Sequence, residues 1–213
     1  MIKVENIDYW GFEHAVRGLR NPMNSWDKSD SEWRIYTPEY PHLSEAKYEI
    51  GKNDLDLMRR LYKAGSEHRK YLRQIMVSMD ITAPLYWWKE MDQYKVGTTT
   101  NSCSTMHTIH KKEFELDDFS TEHLNDFNKR HFKDTIDLLN ANRDQYLNTK
   151  NKDDWWQLIQ LLPSSYNQRR TITMNYENVV TMIKQRSGHK LDEWNNLVEI
   201  LKGLPYIKEI TEE

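Results

Sequence analysis

The segment from Leu161 to Leu201, LLPSSYNQRRTITMNYENVVTMIKQRSGHKLDEWNNLVEIL, constrains the fold more than any other part of the chain. Pro163 closes an apolar helical run, since proline has no amide donor and disfavours helix in the residue before it. Arg169 to Met174 is β-prone, with Thr171, Ile172 and Thr173 at its centre. Asn175 follows where a helix N-cap belongs, because its amide oxygen can accept from the unpaired N–H groups of the next turn. Val179, Met182 and Ile183 recur at helical spacing. Arg186 stands at the end favoured by the helix dipole, and Gly188 breaks the helix. A second helix is predicted from about His189 to Lys202, with Leu191, Trp194, Leu197, Val198 and Leu201 on one face and Gly203 and Pro205 beyond it.

The upstream chain adds further elements. Ile2, Val4 and Ile7 give a first strand over Met1 to Ile7, and Glu13 to Leu19 a short helix. Asn21 to Ser44, within a longer irregular stretch over 21–52, is rich in Ser, Asp, Pro and aromatics and reads as a loop. Its Trp26, Trp33, Tyr36 and Tyr40 are expected to pack it onto the body. Asn53 caps a helix over Asp54 to Ala64 that stops at Gly65. Tyr71 to Asp80 alternates as a strand, with Ile75, Val77 and Met79 on one face. Pro84, at N1, starts the helix LYWWKEMDQYK. Val96 to His110 reads as a loop, and Ser120 caps a long polar helix over Thr121 to Tyr146. A helix from Asp153 to Leu162 leads back to the opening segment. The order predicts a mixed, helix-rich α/β fold in one domain spanning 1–213.

Composition bounds the function. A net charge of −3 gives no broad basic footprint, so nucleic acid is not an expected partner. The single cysteine, Cys103, excludes an intrachain disulfide framework and fits a reducing compartment. No apolar run is long enough to span a bilayer and no signal region is visible, so a cytoplasmic protein is expected.

Chemistry concentrates in Val96 to His110, VGTTTNSCSTMHTIH, where hydroxyls and a flexible backbone can cradle an anion or bond their own turn. A P-loop is excluded by the absence of its glycine-rich loop with Lys-Ser/Thr. Cys103, His107 and His110 lack a fourth zinc ligand, so their expected role is hydrogen bonding. Trp87 and Trp88 can stack on a base but at helical spacing suit a core or interface. His68 follows a turn where a ligand could reach it, although a surface position is the default.

Leu162-Pro163, Tyr166, Thr173-x-Asn175, Arg186 and His189, in that order, resemble the C-terminal half of the flavin-dependent thymidylate synthases. Ala83-Pro84-Leu85-Tyr86 resembles the lead-in to that family's Arg-His-Arg triplet, and Gly65-x-Glu67 its glycine turn. The resemblance implies the fold of those enzymes, a homotetramer with sites between subunits, and a pyrimidine nucleotide such as dUMP as ligand. It implies FAD as cofactor, with NADPH and methylenetetrahydrofolate as co-substrates of a reductive methylation. Carried over by position, nucleotide binding falls on Gln93, Lys95, Thr98, Asn101, Ser102, Ser104, Asn175 and Arg186, and cofactor binding on Tyr94, Lys95 and Asn175. No catalytic residue and no metal ligand is assigned.

The departures are concentrated in charge. The triplet reads Gln93-Tyr94-Lys95, and family arginines fall on Met106, Ile159 and Glu177, leaving Arg186 from that set. Each charged hydrogen bond lost costs roughly 1.5–3 kcal/mol of grip on phosphate or flavin. The resemblance therefore implies first a divergent synthase-like enzyme, because the loop and Asn175 to Arg186 remain in register; the alternatives are a non-catalytic protein that binds or sequesters a nucleotide, and a structural oligomer with no ligand.

Overall fold

The computed structural model describes residues 1–37 and 45–211. A four-stranded antiparallel sheet has the order β1 (Lys3–Trp10), β4 (Met76–Pro84), β6 (Asn167–Asn175), β5 (Thr98–Ser102). Strand alternation gives it one apolar face: Val77, Met79, Ile81, Ala83, Ile172 and Met174 are all buried. Helices α1 (Phe12–Arg20), α2 (Lys52–Lys63), α3 (Leu85–Met91), α7 (Tyr176–Arg186), α8 (Asp192–Lys202) and α9 (Ile207–Thr211) contribute most of the rest of that core. The opposite sheet face carries Ser78, Asp80, Thr171 and Thr173. A second cluster, with Phe114, Phe119, Ile136, Leu139 and Leu158, lies under the hairpin of α5 (Asp126–Thr149) and α6 (Lys152–Leu161).

The β6–α7–α8 segment follows the sequence closely. Asn175 caps α7, its Oδ1 accepting from the Asn178 amide at 3.1 Å. Gly188 has φ +71°, the left-handed conformation that ends a helix cheaply. The next helix begins at Asp192 rather than His189, because His189 serves the turn: its Nδ1 accepts from the Leu191 amide at 3.1 Å. Replacing Asn175 by Ala should cost about 1 kcal/mol, measured as a lower urea midpoint with an unchanged slope.

Several expectations are corrected. The strand expected over Tyr71 to Asp80 begins at Met76, since Lys70 to Gln74 form a 3-10 turn that buries Tyr71 and Leu72. Pro84 ends β4 and is the N-cap of α3 rather than its first helical residue. Asn53 is not a cap: the helix starts at Lys52, and the Asp30 carboxylate accepts from the Asn53 and Asp54 amides. Ser120 is not a cap either. Its hydroxyl donates to Asn167 Oδ1 at 2.8 Å, and Asn125 caps α5.

The 21–44 stretch contains β2 (Glu32–Tyr36), which pairs with β3 (Glu45–Glu49). Trp26, Trp33 and Tyr36 are exposed rather than packed inward, their polar ends satisfied at the surface by Asn21, Glu13 and Glu49. Tyr40 lies outside the described residues. Val96 to His110 is not one loop. Its β-branched threonines form edge strand β5 against β6, and α4 (Thr105–Thr108) follows, capped by Ser104.

Candidate functional site

Edge strand β5 fixes where its polar side chains point, because directly paired residues share a sheet face. Thr98, Thr100 and Ser102 pair with Met174, Ile172 and Arg170, whereas Thr99 and Asn101 pair with Thr173 and Thr171. Ser102 and Asn101 therefore face opposite sides of the sheet, and the structure does not bring them together. Ser104 is committed to its helix, accepting from the His107 amide at 3.2 Å.

Thr98 and Asn175 do converge. Asn178 Nδ2 donates to Thr98 Oγ1 at 2.9 Å and to the Val96 carbonyl at 3.0 Å, tying β5 to the α7 N-terminus. Gly97, at φ +75°, makes that approach possible: a Cβ there would lie 2.5 Å from Asn175 Nδ2.

Arg186 lies in a cage. Its Nη1 donates to Glu90 at 2.6 Å and its Nε to the Tyr94 hydroxyl at 2.9 Å. The guanidinium carbon stands 4.5 Å from the Trp194 ring centroid and 5.5 Å from that of Tyr94. Glu90 also accepts from Trp194 Nε1 at 2.9 Å, and His189 Nε2 lies 3.4 Å from it. Tyr94 donates to Gln185 Oε1 at 3.0 Å. Gln93 is exposed and turned back onto the Lys89 carbonyl, and Lys95 is exposed with no ion pair among the described residues.

Other arginines repeat the pattern. Arg170 pairs with Asp92 at 2.8 Å, donates to Gln168 Oε1 and stacks on Trp88 at 4.2 Å. Arg69 forms a bidentate pair with Glu177 in the first turn of α7. On the far sheet face the Thr171 hydroxyl, then Arg169 and Asn6, hold the Asp80 carboxyl well below the usual carboxylate range. Reading the sequence missed Glu90, Asp92, Arg69 and Trp194 as partners in these networks. A local signal existed for one: Glu90 and Tyr94 are four residues apart within the helix expected over LYWWKEMDQYK, although α3 ends at Met91.

Two clefts lie elsewhere. One, of about 620 Å³, is bounded by the end of α1, Asn21 to Met23 and the turn carrying Glu67 and His68. The other, of about 710 Å³, is lined by Arg20, Lys28 and the Asn53, Asp56, Arg59, Arg60 and Lys63 face of α2. Among the described residues no helix is long and apolar enough to cross a membrane, and no group of three or more His, Cys, Asp or Glu side chains is placed to hold a metal ion.

No protein-family model and no curated protein sequence matches the chain. Solved structures do. The flavin-dependent thymidylate synthase ThyX from Helicobacter pylori, complexed with FAD and dUMP, matches with a TM-score of 0.68 at 18% identity. That match covers 99% of this chain and 98% of the other. A UMP/dUMP methylase, PolB from Streptomyces cacaoi, bound with 5-Br dUMP, matches with a TM-score of 0.64 at 13% identity, covering 95% and 89%. The chain has the fold of these two proteins along nearly its whole length.

Proposed function

We propose that the chain binds a pyrimidine nucleoside unit, free or phosphorylated, along β5 and the start of α7, without flavin chemistry. The observation that carries this reading is the whole-length likeness to two proteins bound to pyrimidine nucleotides. The local chemistry supports it. β5 is the outer strand of its sheet, so among the described residues one side of its backbone is unpaired. The acceptor–donor–acceptor edge of a uracil ring complements such alternating N–H and C=O groups. Thr98, Thr100 and Ser102 supply hydroxyls on one face of that strand.

The triplet positions do not fit a flavin. A pyrophosphate needs free cationic forks. Gln93 has no charge, the Tyr94 hydroxyl is bonded to Arg186 and Gln185, and Lys95 is one exposed ammonium.

A second reading, a synthase-like enzyme acting on dUMP, keeps one structural observation. The cleft of about 620 Å³ beside His68 is large enough for a cofactor ring.

Equilibrium calorimetry with deoxyuridine, dUMP and their purine counterparts tests the binding reading. Saturable binding of a pyrimidine compound, with purines at least about tenfold weaker (1.4 kcal/mol), is the expected result. Equal affinity for purines, or no pyrimidine binding, would overturn it.

A further inference from the structure

The cleft of about 710 Å³ beside α2 departs from the charge balance of the rest of the chain. The net charge is −3, yet five cationic side chains line this cleft and, among the described residues, one carboxylate, Asp56. Helical periodicity builds one wall: Asn53, Asp56, Arg60 and Lys63 recur three, four and three residues apart, on one face of α2. Lys28 comes from the 3-10 turn Trp26–Lys28. Arg20 holds the two segments together. Its Nη2 donates to the Lys28 carbonyl at 3.2 Å, and its Nε donates at 2.7 Å to the buried carboxylate of Asp54, in the first turn of α2. The cleft is therefore preformed, which lowers the ordering cost of binding.

The five cations are not equivalent. Arg20 is committed to Asp54. Arg59 donates to Asp56 at 3.0 Å and to the Glu209 carbonyl at 2.5 Å. Lys28, Arg60 and Lys63 are exposed, and none has a carboxylate partner among the described residues. Like charges around one cleft repel each other and focus their field into it. An anion of several charges relieves that repulsion, and a singly charged one relieves it only in part. The free Arg60 fork suits two phosphate oxygens, while Lys28 and Lys63 supply point charges. No aromatic or apolar side chain lines the cleft among the described residues, so nothing there can stack on a base. Its volume lies in the range of small-molecule sites.

We propose that this cleft binds the phosphate chain of a compact oligophosphate, inorganic or carried by a nucleotide, through Lys28, Arg60 and Lys63 and without reading a base. The site goes beyond the pyrimidine reading, since α2 and the turn before it form this cleft, whereas β5 and the start of α7 form the other.

Calorimetric titration of the full chain with sodium phosphate and sodium triphosphate, in low-salt buffer without divalent cations, tests the proposal. Triphosphate should bind saturably and at least about tenfold more tightly than phosphate, and added salt should weaken it. ATP and CTP should match triphosphate within about threefold, roughly 0.65 kcal/mol. The double variant Arg60→Gln, Lys63→Gln should lose at least about tenfold in triphosphate affinity. Asp56→Asn removes the lining carboxylate and should tighten binding, which damage to the fold would not do. Should the double variant fail to fold, Lys63→Gln alone, at an exposed position, replaces it. No saturable triphosphate binding, or an affinity unmoved in the folded variant, would overturn the proposal. So would a strong preference between ATP and CTP, which requires a base contact. A single-stranded oligodeoxynucleotide binding more tightly than triphosphate, and losing that affinity in the same variant, would overturn the compact ligand in favour of a nucleic-acid strand. Deoxyuridine titrated into the double variant separates the two readings, because pyrimidine binding should be unchanged there.

Discussion

Asp54→Ala should lower the unfolding free energy by about 3–5 kcal/mol, because it leaves a buried cation without its partner. Asp54 is fully buried, and Arg20, 5% exposed, meets its carboxylate at 2.6 Å. The same carboxylate accepts from the Ser29 and Ser31 hydroxyls and from the Asp30 and Ser31 amides, so one side chain ties the segment after α1 to the first turn of α2. Burial opposes its ionisation most strongly. The two serine hydroxyls and Arg20 together outweigh that, holding the carboxyl below its ordinary value. The sign for stability follows. A carboxylate with a depressed folded pKa contributes fully above its unfolded pKa, about 3.9, and that contribution disappears as pH falls through the lower folded value. Urea unfolding across acidic pH should show the Asp54→Ala deficit shrinking toward the acid end. A deficit below about 1 kcal/mol, the range of surface ion pairs, would contradict the structural role.

Trp194→Ala should cost a similar amount, about 3–5 kcal/mol for a fully buried tryptophan. Its ring packs 4.8 Å from Trp87 and 5.9 Å from Tyr94, measured between centroids. Its indole N–H donates to Glu90, and its face carries Arg186. The substitution therefore removes apolar burial and the platform that orients the Glu90–Arg186 pair. Trp194→Phe keeps much of the volume but not the N–H, and should fall between Ala and the original residue. Thermal unfolding of the three proteins measures this; equal losses for Phe and Ala would mean that volume contributes nothing.

Legibility in the sequence followed the range of the interactions. β6, α7 and α8 were readable because their signals are local: an Asn one residue before a helix, an Arg and a Gly at its end, and apolar residues at helical spacing. β5 was not, because Thr98 to Ser102 is polar on both faces and shows no alternation; only its partner β6 makes it a strand. The Asn125 cap was missed because Ser120 carries the same local signal five residues earlier, and its hydroxyl is taken by Asn167. At the site, sequence reading found Arg186 but not its state. Glu90 lies 96 residues from Arg186, and Arg20 lies 34 from Asp54. Nothing in local composition says which carboxylate a fold will bring to which guanidinium.

The central claim is that this fold, in this chain, holds a pyrimidine unit without the grip a flavin needs. The visible absorbance of the purified protein during an FAD titration tests it most directly. The protein should be colourless as isolated, and added FAD should keep the spectrum of the free cofactor with no saturable change. A yellow protein carrying stoichiometric flavin, whose colour NADPH bleaches faster once dUMP is added, would contradict the account and establish the synthase reading.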